Sequence, residues 1–454
     1  MPEDLEALLA LARGVAGGAL PGEQVEAYVA RSRHTDVKVF GGDVESLSSA
    51  EVDGVGVRIV VDGRQGYAWA GSLDPEVVAE TLDEARDNAA FGTPDEHHGL
   101  ARPEDAALGA ERPTLDLWRD ALASYPAESK VAIALDLEKA VLSADPRIRG
   151  VRSSNFGDAM VEMAVANSLG VEASARRTVC SISVLTLAGE GTGTRTGYGY
   201  SVGREVADLD VDEASGMAVE RTVRLLGATQ PKSRRLPVVF DPMVAASLIG
   251  LLAGALNGES ILKGRSMFLG RFGEDVAGAG VTLVDDPTNP LAFGASAYDS
   301  EGIPTRPVEL ISAGKLMGFL QNVYTGRRSG TGTTGSAVRA AYKSTPGVGS
   351  RALRLEPGAA TPEELMARAE GGLFVQSVSG LGTGASPVTG DFSVGADGLL
   401  IRDGALGEPV REITVASTLQ RMLLELEIGS DLTYLPGGAA GVTLLVPEMT
   451  MSGS

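Results

Sequence analysis

Glycine supplies 59 of the 454 residues, while aromatic side chains supply only 5%. That is about twice the ordinary glycine share. Glycine weakens the interiors of helices and strands, but it lets backbones turn sharply and approach closely. A chain so composed is predicted to be turn-rich, with small strands packed close together. The hydrophobic fraction of 43% and the charged fraction of 22% belong to a folded globular protein rather than a disordered one. The length suits two or three domains at roughly 150 residues each. Cores of that size need no disulfide or metal staple.

The pattern of elements predicts an α+β protein in two parts. Residues 1–231 read as an N-terminal mixed α/β domain, and residues 232–454 as a mainly antiparallel β domain with a few helices. The division falls in the polar segment GATQPKSRRLP, 227–237. In the first part, helices are predicted over 3–14, 128–144 and 210–226. Strands are predicted at 37–40, 55–62 and 66–70, and within 151–203. Asp62-Gly63 is a hairpin signal. Asp74-Pro75 opens a helix as N-cap and first helical residue, with Val78, Leu82, Ala85 and Ala89 as its apolar stripe. A long polar loop is predicted over 95–114. The second part opens with Asp241-Pro242 on an apolar helix that ends near 257. Thr361-Pro362-Glu363-Glu364 is a capping box. Ser417 and Gln420 form a second one, with Gly429 closing its helix. Strands are predicted between these helices, at 373–378, 389–395, 398–402 and 409–415.

Several function classes are excluded by composition. Cys180 is the single cysteine, so a disulfide framework or a multi-cysteine metal site is impossible. The three histidines are His34, His97 and His98. His97 and His98 are adjacent, so on a regular element they point apart rather than converge on an ion. The opening MPEDLEALLALARG lacks a basic region, and no signal peptide is expected. No apolar run reaches the roughly 18 residues of a membrane span. The formal net charge of −21 argues against direct nucleic-acid binding, which requires a basic surface. A cytoplasmic protein is expected.

Two features carry candidate chemistry. Carboxylates pair at Asp285-Asp286 and at Asp299 with Glu301. Each lies beside glycine or proline, where turn capping is favoured over acid–base work. The other feature is a local reversal of charge. Between Leu310 and Leu355 there is no acid, while Lys315, Arg327, Arg328, Arg339, Lys343, Arg351 and Arg354 are all basic. Such a stretch suits a subunit interface or a carboxylate-bearing ligand, and equally a solvated basic face. Arg327, Arg328, Arg339, Lys343, Asp299 and Glu301 are therefore the candidate ligand or interface residues.

The ordered series LNGESILKGRSMFLGRFGEDVAG (256–278), VTLVDDPTNP (281–290), YDSEGIPTRPVELISAGKLMGFLQN (298–322), TGTTGSAVR (331–339) and VTGDFSVGADGLLIRDG (388–404) resembles the TldD/PmbA family, also called TldD/TldE. GVGVRIVVDGRQGYA (54–68) continues the likeness more loosely in the first half. The resemblance implies a paired assembly enclosing a chamber, in which an extended peptide or an amide is hydrolysed. One kind of subunit, TldD, carries an HExxxH helix and a C-terminal cysteine as metal ligands. The TldE/PmbA kind lacks them. Here the corresponding helix is DPMVAASLIGLLAGALNG (241–258), and the tail LPGGAAGVTLLVPEM (435–449) has no cysteine. The resemblance thus implies a non-catalytic TldE/PmbA-like subunit. No catalytic residue, metal ligand or cofactor is assigned to this chain, and zinc is expected in a TldD-like partner. The alternative is a homodimer that binds peptides or small ligands without cleaving them.

Overall fold

The computed structural model describes residues 3–106 and 113–453. The first part is built on one six-stranded sheet. Its strands are β1 (Gln24–Phe40), β2 (Asp43–Val61), β3 (Arg64–Ala70), β4 (Ile148–Asn167), β5 (Glu172–Ala188) and β6 (Arg195–Gly203). Their order is β3-β2-β1-β4-β5-β6, and every pairing is antiparallel. The mixing in this domain is of helices with strands, not of strand directions. Asp62 and Gly63 turn β2 into β3 with φ of 49° and 72°, the left-handed pair that a two-residue hairpin demands.

Helices Glu3–Ala16, Pro75–Phe91, Ala127–Ala144 and Val211–Val223 cover one face of this sheet. Alternation along the strands decides which side chains meet them. Val25, Ala27, Val29, Val55, Val57 and Ile59 form one core with the first two helices. Val37, Val39, Cys180, Ile182 and Val184 form a second core with the later pair. Asp74 caps its helix, accepting the Glu76 N–H at 2.9 Å. Of the polar loop expected over 95–114, Pro103–Ala106 forms a helical turn, and 107–112 lie outside the described residues.

The second part has a six-stranded sheet in the order β16-β15-β14-β7-β18-β17. Here β7 is Arg234–Phe240, β14 Leu373–Ser379, β15 Asp391–Arg402, β16 Ala405–Thr418, β17 Glu427–Ile428 and β18 Leu444–Ser452. Only β7 with β14 runs parallel. The sheet curls until β16 also pairs with β18, which removes much of its open edge. Helix Pro242–Ala255 packs into the large core beside it through Val244, Ala245, Leu248, Ile249 and Leu252. A smaller sheet carries β8 (Leu283–Asp285), β9 (Val308–Ser312), β10 (Lys315–Leu316) and β13 (Leu353–Leu355), and β11 (Ala337–Val338) pairs with β12 (Gly347–Val348).

Thr361 and Glu364 form the expected capping box. Ser417 does not form the second one. β16 runs on through Thr418, so Ser417 lies in the ladder opposite Phe392. Thr418 is the cap instead, accepting the Arg421 N–H at 3.2 Å. That helix stops at Glu425 rather than Gly429, because Glu427 and Ile428 pair with β18. Among the described residues, no helix is long and apolar enough to cross a membrane.

Candidate functional site

The two parts of the chain meet over the second face of the first sheet. β1 is buried on both faces from Val25 to Val29, since helices cover one side and the second part covers the other. Glu26 points to the second side and is wholly buried. A carboxylate cannot sit there unpaired. Arg58 lies directly opposite on β2 and donates from Nε and Nη2 to Glu26 at 3.2 and 2.7 Å. Its Nη2 also reaches Glu301 Oε1 at 3.1 Å, and Arg339 donates to Glu26 from the far side. Glu301 Oε2 accepts the Val323 N–H at 2.8 Å. Acids and bases thus alternate along a chain of four buried side chains that fastens the two parts together. Burial pulls the Glu26 pKa upward, but the Arg58 and Arg339 guanidiniums outweigh it and the net direction is down.

Asp299 belongs to the turn that presents Glu301. Its Oδ1 accepts the N–H groups of Glu301 and Ile303 at 2.8 and 3.0 Å, and its Oδ2 accepts that of Ala337 at 3.1 Å. Burial, then the neighbouring Glu301 carboxylate, pushes its pKa upward. Both carboxylates are sealed from solvent, and their hydrogen bonds buttress the loop.

Two glycines admit the loop that carries Arg339 and Lys343. A Cβ on Gly54 would lie 2.5 Å from the Tyr342 ring, and one on Gly56 would lie 2.3 Å from the Tyr342 carbonyl oxygen. The loop therefore rests directly on the β2 backbone. Tyr67 donates its hydroxyl to the Tyr342 and Ser344 carbonyls of the same loop. Lys343 Nζ lies 5.0 Å from the Trp69 ring centroid, within the range of a cation–π contact.

Arg327 and Arg328 sit elsewhere along the seam. Arg327 donates to the Leu100 carbonyl at 2.7 Å and to Asp105 at 3.3 Å. Arg328 donates to the Tyr324 hydroxyl at 2.7 Å, and that hydroxyl donates to Asp95 at 2.9 Å. These two arginines tie the second part to the 95–105 segment.

Two of the open spaces bear on the site. One, of about 410 Å³, lies over helix Pro242–Ala255 and is lined by Met243, Ser247, Gly250, Tyr198 and Tyr200, among others. The tyrosine rings stack with centroids 5.9 Å apart. Between Pro242 and Ala255 there is no His, Cys, Asp or Glu. Among the described residues, no three such side chains converge anywhere to hold a metal ion. The donor set over this helix does not fit zinc, which takes thiolate, imidazole or carboxylate ligands.

The other space, of about 450 Å³, lies between the two parts. Arg339 and Lys343 line it, together with Arg177 and Arg351. Asp299, Arg327 and Arg328 do not. Sequence reasoning singled out neither Arg177 nor the Glu26–Arg58 pair. The signal for that pair was present: VEAYV and VGVRIVV each place one charge inside an apolar strand, where only a partner makes it tolerable.

Comparison with known proteins agrees with this architecture. The PmbA/TldA metallopeptidase domain 1 profile matches residues 25–89, its central domain 120–226 and its C-terminal domain 233–453. The metalloprotease PmbA of Escherichia coli O157:H7 is 29% identical over all of this chain and 96% of its own length. A metalloprotease of Methanothermobacter thermautotrophicus is 26% identical over 90% of this chain and 88% of its own. The crystal structure of TldE from Thermococcus kodakarensis superposes with a TM-score of 0.87 at 23% identity, covering 99% of this chain and 100% of that one. A structure from Bacteroides thetaiotaomicron superposes with a TM-score of 0.86 at 27% identity, covering 98% of each. With three successive domain profiles matched along its length, this chain belongs to the PmbA/TldD metallopeptidase family.

Proposed function

We propose that this chain is the metal-free, TldE-like subunit of a heteromeric TldD/TldE-type metallopeptidase. It shapes the chamber, while a TldD-like partner carrying HExxxH and zinc hydrolyses the peptide, amide or N-acyl bond. The observation that carries this reading is the cleft over helix Pro242–Ala255. The cleft is built, but its helix presents Met243, Ser247 and Gly250 where a metallopeptidase needs ligands and a general base. The name metalloprotease borne by the Escherichia coli relative gives the reaction class. The composition of the helix supports placing the metal on another chain. An extended substrate suits such a partnership, since strand-like recognition reads backbone more than sequence.

The test is expression of this chain alone and together with a TldD-like HExxxH chain from the same cells. The pair is expected to co-purify in equal amounts, hold zinc and cleave an extended peptide. This chain alone is expected to do neither. Robust cleavage by the metal-free, partner-free chain would overturn the reading. A stable homodimer that ignores every TldD-like chain would replace it with a binding protein.

A further inference from the structure

The cavity between the two parts gathers positive charge in a strongly acidic protein and supplies almost no counter-ion. Arg176, Arg177, Arg339, Lys343 and Arg351 line it, and no aspartate or glutamate does. Of these five, only Arg339 has a carboxylate at ion-pair distance among the described residues, and that carboxylate, Glu26, is shared with Arg58. The Arg177 side chain makes no hydrogen bond or ion pair among the described residues. It is held close enough to Arg351 that burial first, and then that second guanidinium, push its pKa down. Arg351 is anchored through Nη2 to Ser300 Oγ and the Ala337 carbonyl at 3.2 and 2.9 Å, yet its Nε is buried without a partner. The Arg339 side chain is wholly buried, and its Nε is likewise unpartnered.

Unpaired guanidiniums that converge in a partly dry space oppose folding unless something neutralises them. Internal hydrogen bonding does not require this arrangement, because the Arg177 guanidinium contributes none among the described residues. An entering anion removes the repulsion and gains charge-assisted hydrogen bonds from planar donor forks, a geometry that matches carboxylate. Most of the remaining wall is apolar, with Ala30, Val161, Met163 and Ala175 beside the Tyr28 ring, and Ser32, His34, Ser296 and Ser300 add polar groups. A volume of about 450 Å³ lies in the range of small-ligand sites.

We propose that this interdomain cavity binds a small ligand with a carboxylate head and an apolar body, of which the C-terminal end of a short peptide is the class that fits. Arg177 and Arg351 receive the carboxylate, Lys343 adds charge at the mouth, and the apolar wall takes the side chain. The peptide nature of the body rests on the function proposed above. Recognition of the anion does not, and it is measured on this chain without a partner.

The experiment is calorimetric titration of the full chain with N-acetyl-Leu-Leu as the free acid, the same compound as its amide, and inorganic phosphate. The acid is expected to bind at least about tenfold tighter than the amide, the loss that accompanies one charged hydrogen bond. Arg177→Gln is expected to weaken the acid about tenfold without weakening the amide. It should leave the ligand-free melting temperature unchanged or higher, which a structural arginine would not do. Arg177→Lys should restore part of the affinity. Lys343→Gln provides a second variant at a side chain that makes no ion pair among the described residues, and it should weaken the acid in the same sense. Equal binding of acid and amide, binding of neither, binding of phosphate without the acid, or wild-type affinity in Arg177→Gln would each overturn the proposal. Failure of the chain to pair with a TldD-like subunit would leave these titrations unaffected, so the two readings fail separately.

Discussion

Glu26 and Arg58 face each other across the β1–β2 ladder and form a two-bond ion pair in which neither side chain is more than 5% exposed. A cross-strand pair usually stabilises only its own sheet. This one also joins the two parts of the chain, because Glu301 and Arg339 complete it from the second part. Two carboxylates and two guanidiniums leave the cluster neutral, which makes its burial tolerable.

Removing one member should therefore expose the cost of the others. Glu26→Gln deprives Arg58 and Arg339 of their shared counter-charge, and breaking such a buried pair costs roughly 3–5 kcal/mol. Urea unfolding at neutral pH should show a loss of that order. The Glu26 pKa lies below its ordinary value, so its stabilising contribution is present above the ordinary range and is lost as pH falls through the folded value. The variant should accordingly lose less stability than wild type on acidification. An unchanged urea midpoint in Glu26→Gln would mean that the cluster does not hold the parts together.

Gly56→Ala should separate the loop from the sheet. The added methyl would lie 2.2 Å from Tyr67 Oη and 2.3 Å from the Tyr342 carbonyl oxygen, and the latter is backbone that must move. Overpacking of this kind typically costs about 1–3 kcal/mol. Hydrogen exchange is expected to quicken in residues 339–344, while helix Val211–Val223, far from the contact, keeps its protection. Uniform exchange across both regions would argue that the loop is not seated on β2.

What was legible in the sequence was set by local chemistry, and what was missed depended on distant partners. Asp62-Gly63 and Asp74-Pro75 announce their turn and cap because the conformation is decided within two residues. β1 extends from Gln24, though its signal is clear only at 37–40. Its middle, ARSRHTD, lacks apolar alternation and is held as a strand by pairing on both sides, with β2 and β4. Residues 43–52 of β2 are exposed on both faces, so hydrophobic patterning could not reveal them. Arg339 and Lys343 stood out because no acid lies near them in sequence. Their different surroundings, Glu26 for one and Trp69 for the other, come from a segment some 300 residues away in the chain. Arg177 sits in an ordinary strand, and only the fold brings it to the same cavity as Arg351.

The pH dependence of stability should include a second, opposite contribution from Asp285. Burial first, with a small addition from Asp286, pushes its carboxyl up to about 6, against the N–H bonds from Arg351 and Ala352 and the Arg351 charge. A group whose folded pKa is raised stabilises fully below its unfolded value and loses that contribution as pH rises through the folded value. Both N–H groups donate to Oδ1, at 3.0 and 2.7 Å, so Asp285→Asn keeps them and mimics the protonated acid at every pH. Relative to wild type, the variant should gain on the order of 2 kcal/mol between about pH 4 and pH 7. Urea midpoints measured at both pH values, with no relative change between the two proteins, would refute this.

Cys180 should be chemically silent until the chain unfolds. It is 1% exposed on β5, beneath helices Ala127–Ala144 and Val211–Val223. Burial first, then the charge of Asp158, pushes its thiol up to about 12. The thiolate is the reactive form, so at pH 8 almost none is present and reagent has no path to it. Labelling by a disulfide reagent should therefore proceed only at the rate of opening of the first part, rising in step with urea-induced unfolding. One equivalent reacting within seconds in the folded protein would show that the helices do not seal this face of the sheet.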